Sequence, residues 1–198
     1  MSGHGRRAVA MAVAAACAAG VAAVPVAGQV AGEPVSVRDG EDARGPLDLV
    51  AVELASTTGN DLRATLTMAE PWGEPALRVR RGAPGSICLR LWTRRPPELQ
   101  APDHLVCVAP TSDRRLSGRV LRDRANGLPR AVAAARLSRP DPRRIVLRFA
   151  RSAVGRPVSL RFAAETVTRR SRCPRPLGCR DLAPEGRRAA SFSPRPGG

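Results

Sequence analysis

Apolar and polar residues alternate with a period of two in several short segments of this chain. In "DLRATLTMAEPW", residues 61–72, the apolar residues from Leu62 to Met68 share one face and the polar residues between them lie on the other. Such alternation is typical of half-buried β-strands, because successive side chains of a strand point to opposite faces of the sheet. The pattern recurs in "SICLRLWTRR", "RRIVLRFAR" and "RPVSLRFAAE". It places these residues on apolar faces: Ile87, Leu89, Leu91, Ile145, Leu147, Phe149, Val158, Leu160 and Phe162.

Proline- and glycine-rich stretches such as "EPWGEP" and "SRPDPR" separate these segments. Short strands between turn signals predict an all-β fold, an antiparallel β-sandwich or a barrel, stapled by disulfides. "ALRVRR", residues 76–81, is predicted as a further strand. "GLPRAVAAARLS", residues 127–138, contains enough alanine for a helix, but we interpret it as a strand leading into the next turn.

The N-terminus predicts export. Arg6 and Arg7 precede an uncharged apolar run from Ala8 to about Ala27, and small residues follow it. This order is typical of a secretory signal peptide, so we predict a leader at residues 1–28 and a secreted, extracytoplasmic protein. A retained membrane anchor is the alternative, since about 20 apolar residues span a bilayer. Residues 29–46 are predicted as an acidic, flexible entry segment and residues 47–198 as a single, monomeric domain.

Four cysteines remain beyond the leader: Cys88, Cys107, Cys173 and Cys179. An even number in an exported chain predicts disulfides, and local spacing favours Cys88–Cys107 and Cys173–Cys179. In an antiparallel hairpin, Cys88 opposite Cys107 puts Leu89 opposite Val106, with both on the apolar side. A four-cysteine zinc site is the alternative, although the C-x-x-C spacing that such sites normally use is absent.

The chain is strongly basic, with a formal net charge of +16, and all 33 basic residues are arginine. One interpretation is that a GC-rich genome has placed arginine on a solvated surface without further meaning. The other is attraction to a polyanion. A specific nucleic-acid partner is not expected, because recognition motifs are absent and few aromatic residues are available for base stacking.

Two sets of residues are candidate binding sites. Trp92 shares its predicted strand face with Arg90, away from the apolar face, and we predict that Trp92, Arg90 and Arg94 form a ligand-binding surface. An acidic stretch near the N-terminus is dense in the oxygen ligands that calcium prefers, although its spacing matches no EF-hand loop. Its candidate calcium ligands are Asp39, Glu41, Asp42 and Asp48. Solvated carboxylates that pair with nearby arginines are the alternative.

Catalysis is not predicted. His104 is the single histidine beyond the leader, no G-x-S-x-G nucleophile elbow occurs, and His104 lies in a proline-rich stretch. No cofactor is indicated other than the possible calcium ion.

The stretch "RGPLDLVAVELASTTGNDLRATLTMAEPW" and the closing "CPRPLGCRDLAPEG" resemble the two ends of small secreted β-sandwich proteins from high-GC bacteria. The layout is loosely similar to DOMON-like and family-nine-type carbohydrate-binding modules. The resemblance implies a jelly-roll or immunoglobulin-like sandwich, and it implies no particular activity because sandwich folds serve many functions.

The sequence therefore predicts a non-catalytic, secreted binding or envelope-associated protein that recognises an anionic or carbohydrate polymer. No stable membrane insertion is expected once the leader is removed. A structural or interaction domain for another exported protein is the alternative, and an unrecognised hydrolase is a third possibility.

Overall fold

The computed structural model describes residues 32–43, 45–57, 59–78, 84–94, 101–124, 127–168, 179–185 and 188–195. The predicted leader, residues 1–28, and Cys173 lie outside these ranges. The described residues form eleven strands: β1 (Val35–Arg38), β2 (Leu49–Ser56), β3 (Asp61–Met68), β4 (Ser86–Trp92), β5 (His104–Pro110), β6 (Leu116–Arg122), β7 (Arg130–Ser138), β8 (Arg144–Ala150), β9 (Leu160–Thr168), β10 (Cys179–Ala183) and β11 (Ala190–Phe192). Two short 3-10 helices, Glu74–Ala76 and Arg151–Val154, complete the described secondary structure.

All strand pairs are antiparallel, in the order β1-β2-β3-β8-β7-β6-β5-β4-β9-β10, and β11 also pairs with β9. The predicted all-β antiparallel fold is confirmed. The sheet curls into a nearly closed, barrel-like shape, and the Leu49 amide of β2 donates to the Asp181 carboxylate of β10 across the remaining seam. Strand β1 lies within segment 29–46, so part of that segment belongs to the sheet.

One strand joins the two halves of the sheet. The first part of β7 pairs with β6 up to Ala135, and its last residues, Arg136–Ser138, pair with β8. The β6–β7 ladder also contains a register shift, between Ala131 and Ala133 of β7. The alanine-rich stretch therefore contains a strand, as predicted: its alanines pair with β6, and the residues that follow them pair with β8.

The apolar faces predicted from the alternation form most of the core. Leu62, Leu66, Ile87, Leu89 and Ile145 are among the fully buried side chains. This burial removes apolar surface from water and is the main term that favours the fold.

The alternation misplaces two positions. Val158 was predicted to share the apolar face of Leu160 and Phe162, but β9 begins only at Leu160 and the Val158 side chain is exposed. Leu77 is buried at the end of a 3-10 helix instead of in a strand, so the strand predicted at residues 76–81 is wrong over its described part. At both positions the apolar–polar alternation of the sequence extends into residues that are not part of a β-strand.

The disulfide Cys88–Cys107 is present, and the two residues lie directly opposite each other in β4 and β5, with Cα atoms 4.1 Å apart. Leu89 faces Val106, as the sequence predicted. Cys179 is also disulfide-bonded. Its predicted partner, Cys173, lies outside the described residues.

Candidate functional site

Three carboxylates meet at the seam between β2 and β10. Asp48 directly precedes β2, Asp181 is the middle residue of β10, and Asp42 lies in the preceding segment; one oxygen from each lies within 4.8 Å of the others. Asp48 and Asp181 are only 5% and 7% exposed. Asp181 is held by two backbone amides, because its Oδ2 accepts from Leu49 at 2.6 Å and its Oδ1 from Leu182 at 2.7 Å.

This carboxylate cluster, Asp42, Asp48 and Asp181, is electrostatically strained. Burial, together with the charges of Asp42 and Asp48, raises the pKa of Asp181 from 3.8 to about 6, against the lowering effect of its backbone hydrogen bonds. Burial also raises the pKa of Asp48, with a further contribution from Asp42. A hydrogen bond between the side chains of Glu185 and Asp42, together with the charge of Asp42, raises the pKa of Glu185. Neutralising negative charge at this seam would therefore stabilise the folded protein.

The structure brings two of the four predicted calcium ligands, Asp42 and Asp48, into this cluster. Burial raises the pKa of Asp39, and the nearby charges of Asp42 and Asp48 raise it further. The buried Oδ2 of Asp39 has no hydrogen-bond partner. Glu41 is exposed and outside the three-carboxylate group. Asp181 was not predicted, because the hydrogen bond that places it at Leu49 spans 132 residues.

Oxygen donors of this kind suit a hard divalent cation. Calcium binds six to eight oxygens, including carboxylates, backbone carbonyls and water, in flexible geometry. A cavity of about 450 Å³ adjoins the cluster and is lined partly by Asp42, Asp181 and Glu185, so water and further oxygens have room. The orphaned Asp39 Oδ2 adds an acceptor without a donor. The residues present therefore fit such an ion.

A second site is built from arginines. Arg122 ends β6 and Arg130 begins β7 directly opposite, and with Arg124 they line a cavity of about 420 Å³, which we call the arginine cleft. None of the three forms an ion pair with a carboxylate among the described residues. Like charges in direct opposition destabilise a sheet, so an anion between them would be stabilising.

A cavity of about 450 Å³ adjoins the arginine cleft and shares Arg122 with it. The buried His104 lies opposite Arg122 in the β5–β6 ladder, and its Nδ1 has no hydrogen-bond partner. Burial, with the charge of Arg122, lowers the pKa of His104, so the imidazole is neutral near pH 7. The Asp103 carboxylate instead accepts from the amides of Thr93 and Arg94, so it does not orient His104 as a catalytic dyad would require.

The three residues of the predicted ligand surface do not form one surface in the structure. Trp92 is only 3% exposed and the Arg90 guanidinium lies over its ring at 5.2 Å, so a ligand cannot stack on Trp92 without displacing side chains. Arg90 also forms an ion pair with Glu165 at 3.3 Å. Arg94 is exposed and lines the cavity beside the arginine cleft, where its Nε donates to Asp103 at 2.6 Å. Arg94 therefore lies at a cavity, whereas Trp92 is buried and Arg90 is paired with Glu165.

Comparison of the chain with protein-family models, with curated proteins and with solved structures finds no match. Within the described ranges, no helix combines the length and the apolar character needed to cross a bilayer. We therefore base the function on the carboxylate cluster and the arginine cleft.

Proposed function

We propose that this chain is an exported, non-catalytic binding protein that contacts an anionic polymer of the cell envelope through the arginine cleft. The predicted leader and the disulfides support export, because disulfides persist in extracytoplasmic compartments. The protein acts as a monomer and needs no cofactor for this contact. A carbohydrate polymer qualifies when it carries phosphate, carboxylate or sulfate groups.

The observation that carries this proposal is that Arg122 and Arg130 lie directly opposite each other at a cavity and have no carboxylate partner among the described residues. Elsewhere in the described chain several arginines are neutralised locally, as Arg63 is by Glu53 at 3.2 Å. Two opposed guanidinium groups at a concave surface repel each other, and an anionic group bound by both removes that repulsion. A bound anionic group would therefore stabilise the arginine cleft more than it would stabilise arginines that are spread singly over a solvated surface.

The test compares two double variants in polymer binding. Arg122→Gln with Arg130→Gln removes the opposed pair at the cleft. Arg136→Gln with Arg148→Gln is the matched control, because these arginines also lie directly opposite each other, and Arg136 lies about 20 Å from Arg130 along β7. The cleft variant is expected to bind an isolated anionic wall polymer about tenfold more weakly, whereas the control binds nearly as the parent.

Titration calorimetry across a salt series is the measurement, with heparin and duplex DNA as further polyanions. Binding to the wall polymer is expected to outlast moderate salt better than binding to either control polymer. Equal losses in the two double variants, or equal binding of all polyanions that disappears together with salt, would instead favour an interaction domain for another exported protein.

The finer fold type belongs with this proposal. We infer a β-sandwich of the jelly-roll or immunoglobulin-like type, whose two sheets are joined where β7 changes partner from β6 to β8. Corners of sandwiches are commonly made by strands that switch sheets and carry a bulge or bend, and β7 both switches sheets and has an irregular ladder with β6, which supports this assignment.

We further propose that the carboxylate cluster binds a calcium ion that fastens β2 to β10. Asp42, Asp48 and Asp181 would supply charged oxygens, with Asp39 close enough to contribute. A bound divalent cation would neutralise the charge that raises the pKa values of Asp48 and Asp181, and it would connect two strands that are far apart in sequence.

Thermal unfolding with and without calcium tests this second proposal. Calcium at one hundred times its dissociation constant is expected to stabilise the parent by about 2.7 kcal/mol, seen as a rise in the unfolding midpoint of several degrees. The double variant Asp48→Asn with Asp181→Asn is expected to show no calcium-dependent rise of the midpoint. The control variant Asp113→Asn, which changes an exposed carboxylate in the β5–β6 turn, is expected to retain the rise. A parent whose midpoint is unchanged at millimolar calcium would refute the site.

A further inference from the structure

Exposed apolar side chains gather around the arginine cleft. In the described part of the chain the exposed large hydrophobic residues are Leu128, Val132 and Val158, at 88%, 46% and 83% exposure. Leu128 lies two residues before Arg130, and Val132 lines the cleft itself. Val158 directly follows Pro157, which lines the neighbouring cavity together with Arg122. Single exposed apolar residues are common, but apolar residues grouped around one site indicate an interaction surface.

The loop that carries Val158 is held in place by a buried arginine. Arg151 is almost fully buried, and its Nε and Nη2 donate to the Pro157 carbonyl at 3.1 and 2.7 Å. Its Nη1 donates to the Arg195 carbonyl at 2.7 Å. These bonds fix the residue before Val158, so the outward position of Val158 follows from an ordered loop.

The charge around these apolar residues is positive. Arg122, Arg124 and Arg130 have no carboxylate partner among the described residues, and the exposed Arg156 lies two residues before Val158. The negative groups nearby are Asp103 and Asp123, and the Asp103 carboxylate is already bound by Arg94. Anions are thus attracted to the same surface that exposes the apolar side chains.

We propose that this surface docks on an anionic lipid bilayer, with Leu128, Val132 and Val158 entering the headgroup region and the arginines binding lipid phosphates. A solvated polymer gives apolar side chains nothing to bury against, whereas a bilayer interface offers apolar depth and negative charge together. This contact is peripheral and is compatible with the absence of stable insertion that the sequence predicts. It shares its arginines with the proposed polymer contact, but it adds a partner that the polymer proposal does not require.

Sedimentation with lipid vesicles tests the inference, using exported, oxidised protein whose N-terminus is read by mass spectrometry. The parent is expected to bind vesicles of phosphatidylglycerol mixed with phosphatidylcholine and to bind vesicles of phosphatidylcholine alone far more weakly. Leu128→Ser with Val158→Ser keeps every charge, and it is expected to bind the anionic vesicles about tenfold more weakly. All variants share the same N-terminus, so any contribution of a retained leader cancels.

Polymer binding by the same variants separates the two proposals. The serine double variant is expected to bind the wall polymer as the parent does, whereas Arg122→Gln with Arg130→Gln loses both partners. Vesicle binding that survives the serine substitutions, or that does not distinguish anionic from neutral vesicles, overturns the docking surface. A serine variant that loses both polymer and vesicles, or whose unfolding midpoint falls, also overturns it, because Leu128 and Val158 would then be structural. Vesicle binding without any polymer binding would leave the docking surface standing and remove the proposed function.

Discussion

Asp181 shows how one residue can link two distant parts of the chain. Both of its carboxylate oxygens accept from backbone amides, and one of those amides belongs to Leu49 of β2. These bonds favour the charged form, yet burial outweighs them and raises the pKa of Asp181 to about 6. The carboxylate thus secures the seam while retaining a tendency to take up a proton or a cation.

In the absence of divalent cations, the raised pKa of Asp181 predicts how the stability of the protein depends on pH. Because the pKa of folded Asp181 lies above the unfolded value of 3.8, the folded state binds more protons between about pH 4 and 6. The free energy of unfolding should therefore fall as the pH rises through this window. The difference between 3.8 and about 6 corresponds to about 3 kcal/mol lost by pH 7.

Denaturant titration from pH 4 to 7 in the presence of a chelator measures this effect. Asp181→Asn is expected to flatten the pH dependence, although it also loses one backbone hydrogen bond, so the slopes are compared and not the absolute stabilities. Asp103 and Asp141, whose pKa values are lowered by Arg94 and Arg144, act in the opposite direction in both proteins and cancel. An unchanged slope in the variant would contradict the assignment.

At the scale of elements, the β6–β7 pair joins the two halves of the sheet. Gly118 of β6 lies opposite Ala135 of β7, one residue before β7 begins to pair with β8. A Cβ at Gly118 would lie only 2.6 Å from the Ala135 carbonyl oxygen and 3.2 Å from the Ala135 Cβ. The close approach of the two strands at the corner therefore requires glycine.

Gly118→Ala is expected to destabilise the protein by about 1–3 kcal/mol, because the added methyl group pushes β6 away from β7. Gly40→Ala is the control, since a Cβ at that position meets no atom within 4 Å. Denaturant unfolding of the two variants beside the parent measures the difference. If the two variants had the same free energy of unfolding, β6 and β7 would be able to accommodate the added methyl group without loss of stability, which would contradict this prediction.

At the scale of the whole molecule, the two candidate sites lie towards opposite ends of the sheet. In β9, Leu160 lies beside the loop of Val158, whereas Thr166 lies opposite Asp181. Six residues of strand separate these positions by about 20 Å. The Debye length at physiological salt is about 8 Å, so the carboxylate cluster hardly repels an anion at the arginine cleft. A strongly basic chain can thus hold a cation site and an anion site at once.

Local alternation was sufficient to predict β3, β4, β8 and part of β9, and the hairpin register predicted one disulfide. Leu62, Leu66 and Ile87 are buried where their spacing placed them, because a strand in an antiparallel pair must alternate between core and solvent. The hairpin formed by β4 and β5 is also local, so the Cys88–Cys107 register followed from residue numbers alone.

Strand order was not contained in this local pattern. Strands β3 and β8, and β4 and β9, are neighbours although long stretches of chain separate them. That order is decided by how the apolar faces of the strands pack around a common core. It brings Asp181 to Asp42 and Asp48, which the sequence predicted only as a stretch of nearby acids.

Alternation and cysteine spacing thus place strands such as β3, β4 and β8 and the Cys88–Cys107 disulfide, because both depend on residues close along the chain. The candidate sites depend on contacts between distant segments. The Asp181 carboxylate reaches the Leu49 amide, Trp92 is buried under Arg90, and the buried Arg151 guanidinium links the Pro157 and Arg195 carbonyls. Each of these outcomes depends on contacts that form only when the sheet has closed around its core.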